Sequence, residues 1–125
     1  MEYTNRTKTV ASYIRDISKN KILFTHKIQR KQEQWSKIQE SKFIETLLIG
    51  DISIPPIHVS KDDTGSWVID GIQRLTTIYK YYTDGFKIKK GTPNIALDGV
   101  EYEIEKKRFS QLPDELQQQI LDTEI

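Results

Sequence analysis

Asp70-Gly71-Ile72-Gln73-Arg74 gathers a carboxylate, an amide and a guanidinium within five residues. The apolar run Trp67-Val68-Ile69 precedes it with strand character, and Leu75, Ile78, Tyr79 and Tyr82 follow at a spacing that predicts a helix with those four on one face. A short turn from strand to helix leaves the first helical amides without intrahelical acceptors. Those amides and the helix dipole together favour an anion. Gly71 lets the chain turn sharply and lets a ligand approach the backbone. Arg74 falls in the first helical turn, and its planar fork matches two phosphate oxygens. Gln73 can orient a water or a phosphate oxygen through its amide. Asp70 would be repelled by a bare phosphate and suits instead a magnesium ligand, a base for water, or a helix cap. The same residues also fit an ordinary capped turn in which Arg74 pairs with Glu45 or Asp70, and spacing alone does not separate the two readings.

Composition narrows the chemistry. A chain of 125 residues, 36% hydrophobic and 30% charged, suits one water-compatible domain with a modest core. It has no cysteine, which removes disulfides and thiolate metal sites and is compatible with the cytoplasm. His26 and His58, far apart in sequence, make a poor start for a zinc site or a histidine-based nuclease centre. No apolar run reaches membrane-span length, and the N-terminus has no signal-peptide core. The net charge of +1 conceals an uneven distribution: residues 1–42 carry ten Lys/Arg against four Asp/Glu, and residues 43–125 carry nine against fourteen. A basic first third can face phosphates or simply be a solvated helical surface.

The elements that must position the motif can be read in order. Residues 1–8 are polar and read as a flexible N-terminus ahead of a domain over 9–125. Thr9 caps a short amphipathic helix bearing Val10, Tyr13, Ile14 and Ile17. Ser36-Lys37-Ile38-Gln39 is a capping box that opens a helix with Ile38, Ile44, Leu47 and Leu48 as its apolar stripe and Gly50 as its stop. Ile57-His58-Val59 and Trp67-Val68-Ile69, joined by a turn over 61–65, predict a hairpin. Gly85 ends the helix after Arg74, and residues 86–88 suit a further strand. Asp98-Gly99 between Ile95-Ala96-Leu97 and residues 100–104 is a strong two-residue hairpin signal. Pro113 belongs to the start of a helix carrying Leu116, Ile120 and Leu121, a pattern that looks ready to continue past Ile125. The fold class expected is α+β, a small mixed sheet with β-hairpins flanked by helices.

Residues 68–78, Val-Ile-Asp-Gly-Ile-Gln-Arg-Leu-Thr-Thr-Ile, resemble the I-D-G-Q-Q-R-L-T-T signature of the domain of unknown function 262 family (DUF262), which includes the GmrS-type half of modification-dependent restriction enzymes. Three further segments occur in that family's order. Gln29-Arg30 followed by Trp35 resembles its Q-R-x-x-x-x-W segment, residues 43–50 its L-I-E-S-L-L-x-G helix, and Ile54-Pro55-Pro56 its I-P-P segment. The resemblance implies a ParB/sulfiredoxin-like fold and a nucleoside-triphosphate-dependent, regulatory role in a DNA-targeting restriction or defence protein. By position it makes Asp70 and Gln73 the catalytic candidates. Asp70 would also hold Mg2+, while Gly71, Ile72 and Arg74 would bind the nucleotide and Gln29 and Arg30 would form a second wall.

Ile72 departs from the family's first glutamine. Either that position touches the nucleotide and hydrolysis is weakened, or it points inward and improves the core. The implied partners are a nucleotide, a nuclease domain or subunit, DNA through the full-length protein, and a second copy in a homodimer. A non-enzymatic ParB-like DNA-binding or adaptor module is the alternative, and a nuclease in this segment alone ranks last. The family's later F-x-R-L-N segment and its frequent C-terminal His-Asn-His nuclease domain do not occur in this chain, which reads as a fragment or a naturally short protein. Lys87, Lys89 and Lys90 with Lys106, Lys107 and Arg108 are either phosphate contacts or solvated charge near turns.

Overall fold

The computed structural model describes residues 2–4, 8–19, 22–23, 35–50, 53–62 and 65–125. The elements are β1 (Glu2–Thr4), α1 (Val10–Ser18), β2 (Ile22–Leu23), α2 (Lys37–Ile49), β3 (His58–Asp62), β4 (Gly65–Asp70), α3 (Ile72–Tyr82), β5 (Ile95–Leu97), β6 (Val100–Tyr102), a 3-10 turn at Phe109–Gln111, and α4 (Asp114–Leu121). The class is α+β, as expected. The larger sheet is mixed, in the order β1-β3-β4-β2, with β2 parallel to β4 and the other pairs antiparallel.

The local signals explain most of these elements. The Thr9 side chain accepts from Ser12 N–H and starts α1. Ser36 and Gln39 cap α2 reciprocally, at 3.2 and 2.8 Å, and Gly50 ends it in the left-handed region. Asp98 and Gly99 both take positive φ, 51° and 80°, which is the twist a two-residue turn needs to join β5 and β6. Pro113 stands immediately ahead of α4 as its N-cap. Val10, Tyr13 and Ile14 of α1, Ile44 and Leu47 of α2, and Leu75 and Ile78 of α3 meet Val59 and Val68 of the sheet in one apolar core.

Tertiary packing shifts several expectations. Residues 2–4, polar and without a strand signal of their own, lie as β1 against β3, with Tyr3 opposite Ser60. Ile38 leaves the apolar stripe of α2 and is 62% exposed, because the inward face runs through Glu40, Ser41, Ile44, Leu47 and Leu48. Those two polar residues are buried for a reason. Glu40 accepts from Lys80 Nζ at 3.0 and 3.2 Å, and Ser41 Oγ accepts the backbone N–H of Lys89 at 2.8 Å. On α3 the buried ring is Tyr81 at 1% exposure, whereas Tyr82 is 39% exposed. The Tyr81 hydroxyl donates to the Lys107 carbonyl at 3.0 Å.

Residues 86–88 are not a strand, although Ile88 exchanges two backbone hydrogen bonds with Lys106 and Lys107. The strands β3 and β4 extend to Asp62 and Gly65, so much of the expected turn over 61–65 is strand, while Asp63 and Thr64 lie outside the described residues. After α4 the chain turns back instead of continuing the helical pattern. Lys8 and Ile125 exchange two backbone hydrogen bonds, Val10 N–H donates to the Thr123 carbonyl at 2.8 Å, and the Ile125 side chain is fully buried.

Candidate functional site

The hairpin β3–β4 delivers the chain to Gly71, which sits between strand and helix with φ 92° and ψ 16°. Its carbonyl accepts from Leu75 N–H at 3.0 Å and so closes the first turn of α3. A glycine at this position offers no side-chain oxygen to the first-turn amides, in contrast to Thr9 and Ser36 at the starts of α1 and α2. A Cβ on Gly71 would lie 2.5 Å from Ile57 Cδ1 and 3.0 Å from Arg74 Nη2. The space a side chain would fill is taken by the strand approach on one side and a guanidinium on the other. The left-handed conformation favours glycine here, and a side chain would in addition have to displace the ends of Ile57 and Arg74.

Arg74 is folded back over the turn. Its Nη1 donates to the Pro55 carbonyl, which ties the start of α3 to the Ile54-Pro55-Pro56-Ile57 segment. Its positive charge reaches α1: burial pushes the Tyr13 phenol up and Asp16 adds to the rise, while the Arg74 guanidinium opposes it. Glu45, one partner considered for Arg74 from the sequence, pairs with Lys42 at 3.2 Å.

Gln73 points toward α2. Its Oε1 accepts the backbone N–H of Trp35 at 3.1 Å, and the Trp35 ring in turn stands edge-on to Phe43 with centroids 5.3 Å apart. Trp35 is thus a half-buried packing anchor ahead of the capped helix. Ile72 is half-buried and packs against the main core, so the residue that departs from the family signature points inward. Asp70 closes β4 with its backbone in register with His58. The Asp70 side chain lies outside the described residues, as do Gln29 and Arg30. Among the described residues, no group of three or more His, Asp or Glu side chains is placed to hold a metal ion.

Gly71, Gln73 and Arg74 thus share the start of α3 and Ile72 packs on the core, with Gln73 directed to Trp35 and Arg74 to Pro55. Sequence reasoning missed Pro55, Ile57 and Tyr13 as the neighbours of that end. A backbone carbonyl has no residue-type signature, and Ile57 and Tyr13 read as ordinary core residues, so neither carried a signal.

An α+β domain with an arginine folded over a glycine turn at a helix start is the class that fold and site define. The chain belongs to the GmrSD restriction endonuclease N-terminal domain family, whose pattern matches residues 10–125. Membership places it in a restriction-type defence protein and suggests a nuclease-containing partner domain. No curated protein and no solved structure matches the chain. Among the described residues, no helix is long and apolar enough to cross a membrane.

Proposed function

We propose that this domain binds a nucleoside triphosphate at the Asp70–Arg74 turn and uses it to regulate the DNA-directed activity of the restriction protein to which it belongs. The observation that carries this reading is the position of Arg74. Its guanidinium lies against the glycine that starts α3, where the helix dipole and first-turn amides favour an anion. Anchoring by Pro55 orients the fork at that place before any ligand arrives. The donor set fits phosphate in kind: a guanidinium, a glycine turn and backbone amides. Asp70 would hold Mg2+, directly or through water, and Gln29 and Arg30 would approach the nucleotide from a second side. Bound magnesium would offset the charge of the triphosphate.

A second reading has a specific observation behind it. Gln73 already uses Oε1 to hold Trp35, which leaves its NH2 group to meet a phosphate oxygen or a water. A side chain committed to packing in this way suits a nucleotide switch better than rapid turnover. Titrating the full chain with ATP, GTP and CTP in the presence of Mg2+, while following heat and released phosphate, tests both readings. Arg74→Ala should weaken binding by roughly 10-fold or more, and Arg74→Lys should restore only part of it, because the ammonium lacks the fork. A switch predicts binding with negligible phosphate release, and an NTPase predicts release that disappears with Arg74→Ala. Equal affinity in wild type and Arg74→Ala removes the turn from nucleotide binding.

A further inference from the structure

The opposite end of α3 carries a different feature. A concavity of about 560 Å3 opens there, between the first turn of α2, the end of α3, the 86–90 segment and the 106–108 turn. Lys80 marks it on α3, eight residues beyond Ile72 and so about 12 Å along the helix axis from the Gly71 turn. Its rim is cationic: Lys37, Lys87, Lys89, Lys90 and Lys106 are all exposed, and none makes an ion pair among the described residues. Two further cations on the rim have structural engagements, Lys80 with Glu40 and Arg108 with the Asp84 carbonyl at 2.8 Å. Among the described residues, no aspartate or glutamate lines it.

This gathering is a product of the fold. The larger part of the rim comes from residues 43–125, where acidic residues outnumber basic ones. Backbone bonds hold the segments in place: Ile88 is paired with Lys106 and Lys107, and Lys89 N–H is fixed on Ser41 Oγ. Lys37, Lys87, Lys89, Lys90 and Lys106 are therefore assembled against their mutual repulsion, while Lys80 and Lys42 keep Glu40 and Glu45 as partners. Between them lies an apolar sill formed by Ile38, Phe86 and the buried Ile88. A second concavity of about 210 Å3 shares Ile38, Ser41, Lys89 and Lys90 with the first and continues it toward Lys42, where one carboxylate, Glu45, lines it and pairs with Lys42 at 3.2 Å. The result is a furrow longer than a single phosphate requires.

We infer that this furrow seats the phosphodiester backbone of DNA, at a site separate from the Gly71–Arg74 turn and independent of whether that turn binds nucleotide. The lysines would meet successive phosphates, and the sill would meet deoxyribose carbons. Contacts of this kind position a duplex without reading its bases.

The test is fluorescence anisotropy of a labelled duplex of about two helical turns with the full chain, at about 50 and about 200 mM salt. Wild type should bind with strong salt dependence. Lys89→Glu/Lys90→Glu should bind at least about 10-fold more weakly, with a salt slope shallower by about two, because two phosphate contacts are lost. Both side chains are exposed and the Ser41 contact uses the Lys89 backbone, so the fold should persist, which circular dichroism checks. Lys89→Gln/Lys90→Gln should fall between wild type and the charge reversal, and Lys19→Gln, at an exposed cation on α1's end away from the furrow lining, should leave duplex binding unchanged. Failure of wild type to bind duplex, or equal binding by the charge-reversed variant, overturns the proposal. Displacement of the duplex by ATP at matched phosphate concentration overturns it as well, by making the furrow a small-nucleotide site. Loss of nucleotide binding in Arg74→Ala bears only on the other site.

Discussion

Gly71→Ala should be among the costlier single-atom-group additions in this domain. The residue would have to hold φ at 92°, and its new methyl would press on Ile57 Cδ1 and on the Arg74 guanidinium. Left-handed strain and local overpacking together should cost about 2–4 kcal/mol, read as a lower denaturant midpoint at unchanged slope. Tyr81 permits a pH prediction at the same scale. Burial first, and the Asp84 carboxylate second, raise its phenol well above the usual value of about 10. Above that pH the unfolded chain releases a proton that the folded chain keeps, so the stability present below about pH 10 is lost as pH rises further. Tyr81→Phe should make this alkaline decline shallower, with Tyr13, also raised, supplying the remainder. It should also cost about 1 kcal/mol at neutral pH, since the bond to the Lys107 carbonyl disappears. Urea unfolding at pH 7, 9 and roughly 10.5 measures both effects.

At the scale of elements, α2 is the scaffold shared by both ends of α3. Its approach carries Trp35, which Gln73 holds, and its inward face carries Glu40 and Ser41, which hold Lys80 and the 86–90 segment. The capping box sets where that helix begins, and therefore where these three contacts fall. Ser36→Ala removes the acceptor for Gln39 N–H, at a cost of about 1 kcal/mol and a melting temperature lower by roughly 3–5 °C in calorimetry. The end of α3 is equally specific. Asp84 takes φ 62°, Gly85 N–H reaches the Lys80 carbonyl at 2.7 Å, and Asp84 N–H reaches that of Tyr81. The sequence marked Gly85 as the stop, but the left-handed residue is its neighbour. The Asp84 carboxyl accepts from Ser110 N–H, which lowers its pKa, so the cap also fastens the 3-10 turn.

Across the whole molecule, residues 8–10 and 123–125 meet although more than a hundred positions separate them. Their backbone hydrogen bonds place the start of α1 beside the chain end, and Ile125 fills the core there. Ile125→Ala should cost about 2–4 kcal/mol, a core-sized penalty at a terminal residue, detectable as a drop in thermal midpoint. An unchanged midpoint would show that this junction adds nothing to the fold. The same closure brings α4 against α1 and α2, so the core that supports the Gly71 turn draws on helices from both ends of the chain.

Local chemistry written in the chain determined the helix starts at Thr9 and Ser36, the stop at Gly50, both hairpins, the α+β class, and the family carried by four ordered motifs. The caps, the turns and each single motif depend on residues within a few positions of one another, which is why they could be read without coordinates. Only the tertiary structure decided that Ile72 faces inward, that Arg74 is anchored on Pro55, that Gln73 holds Trp35, and that lysines from separate segments line one furrow. Those outcomes join residues nearly twenty to seventy positions apart. Backbone carbonyls and the sum of exposed charges leave no local pattern, and they become chemistry only when packing brings the segments together.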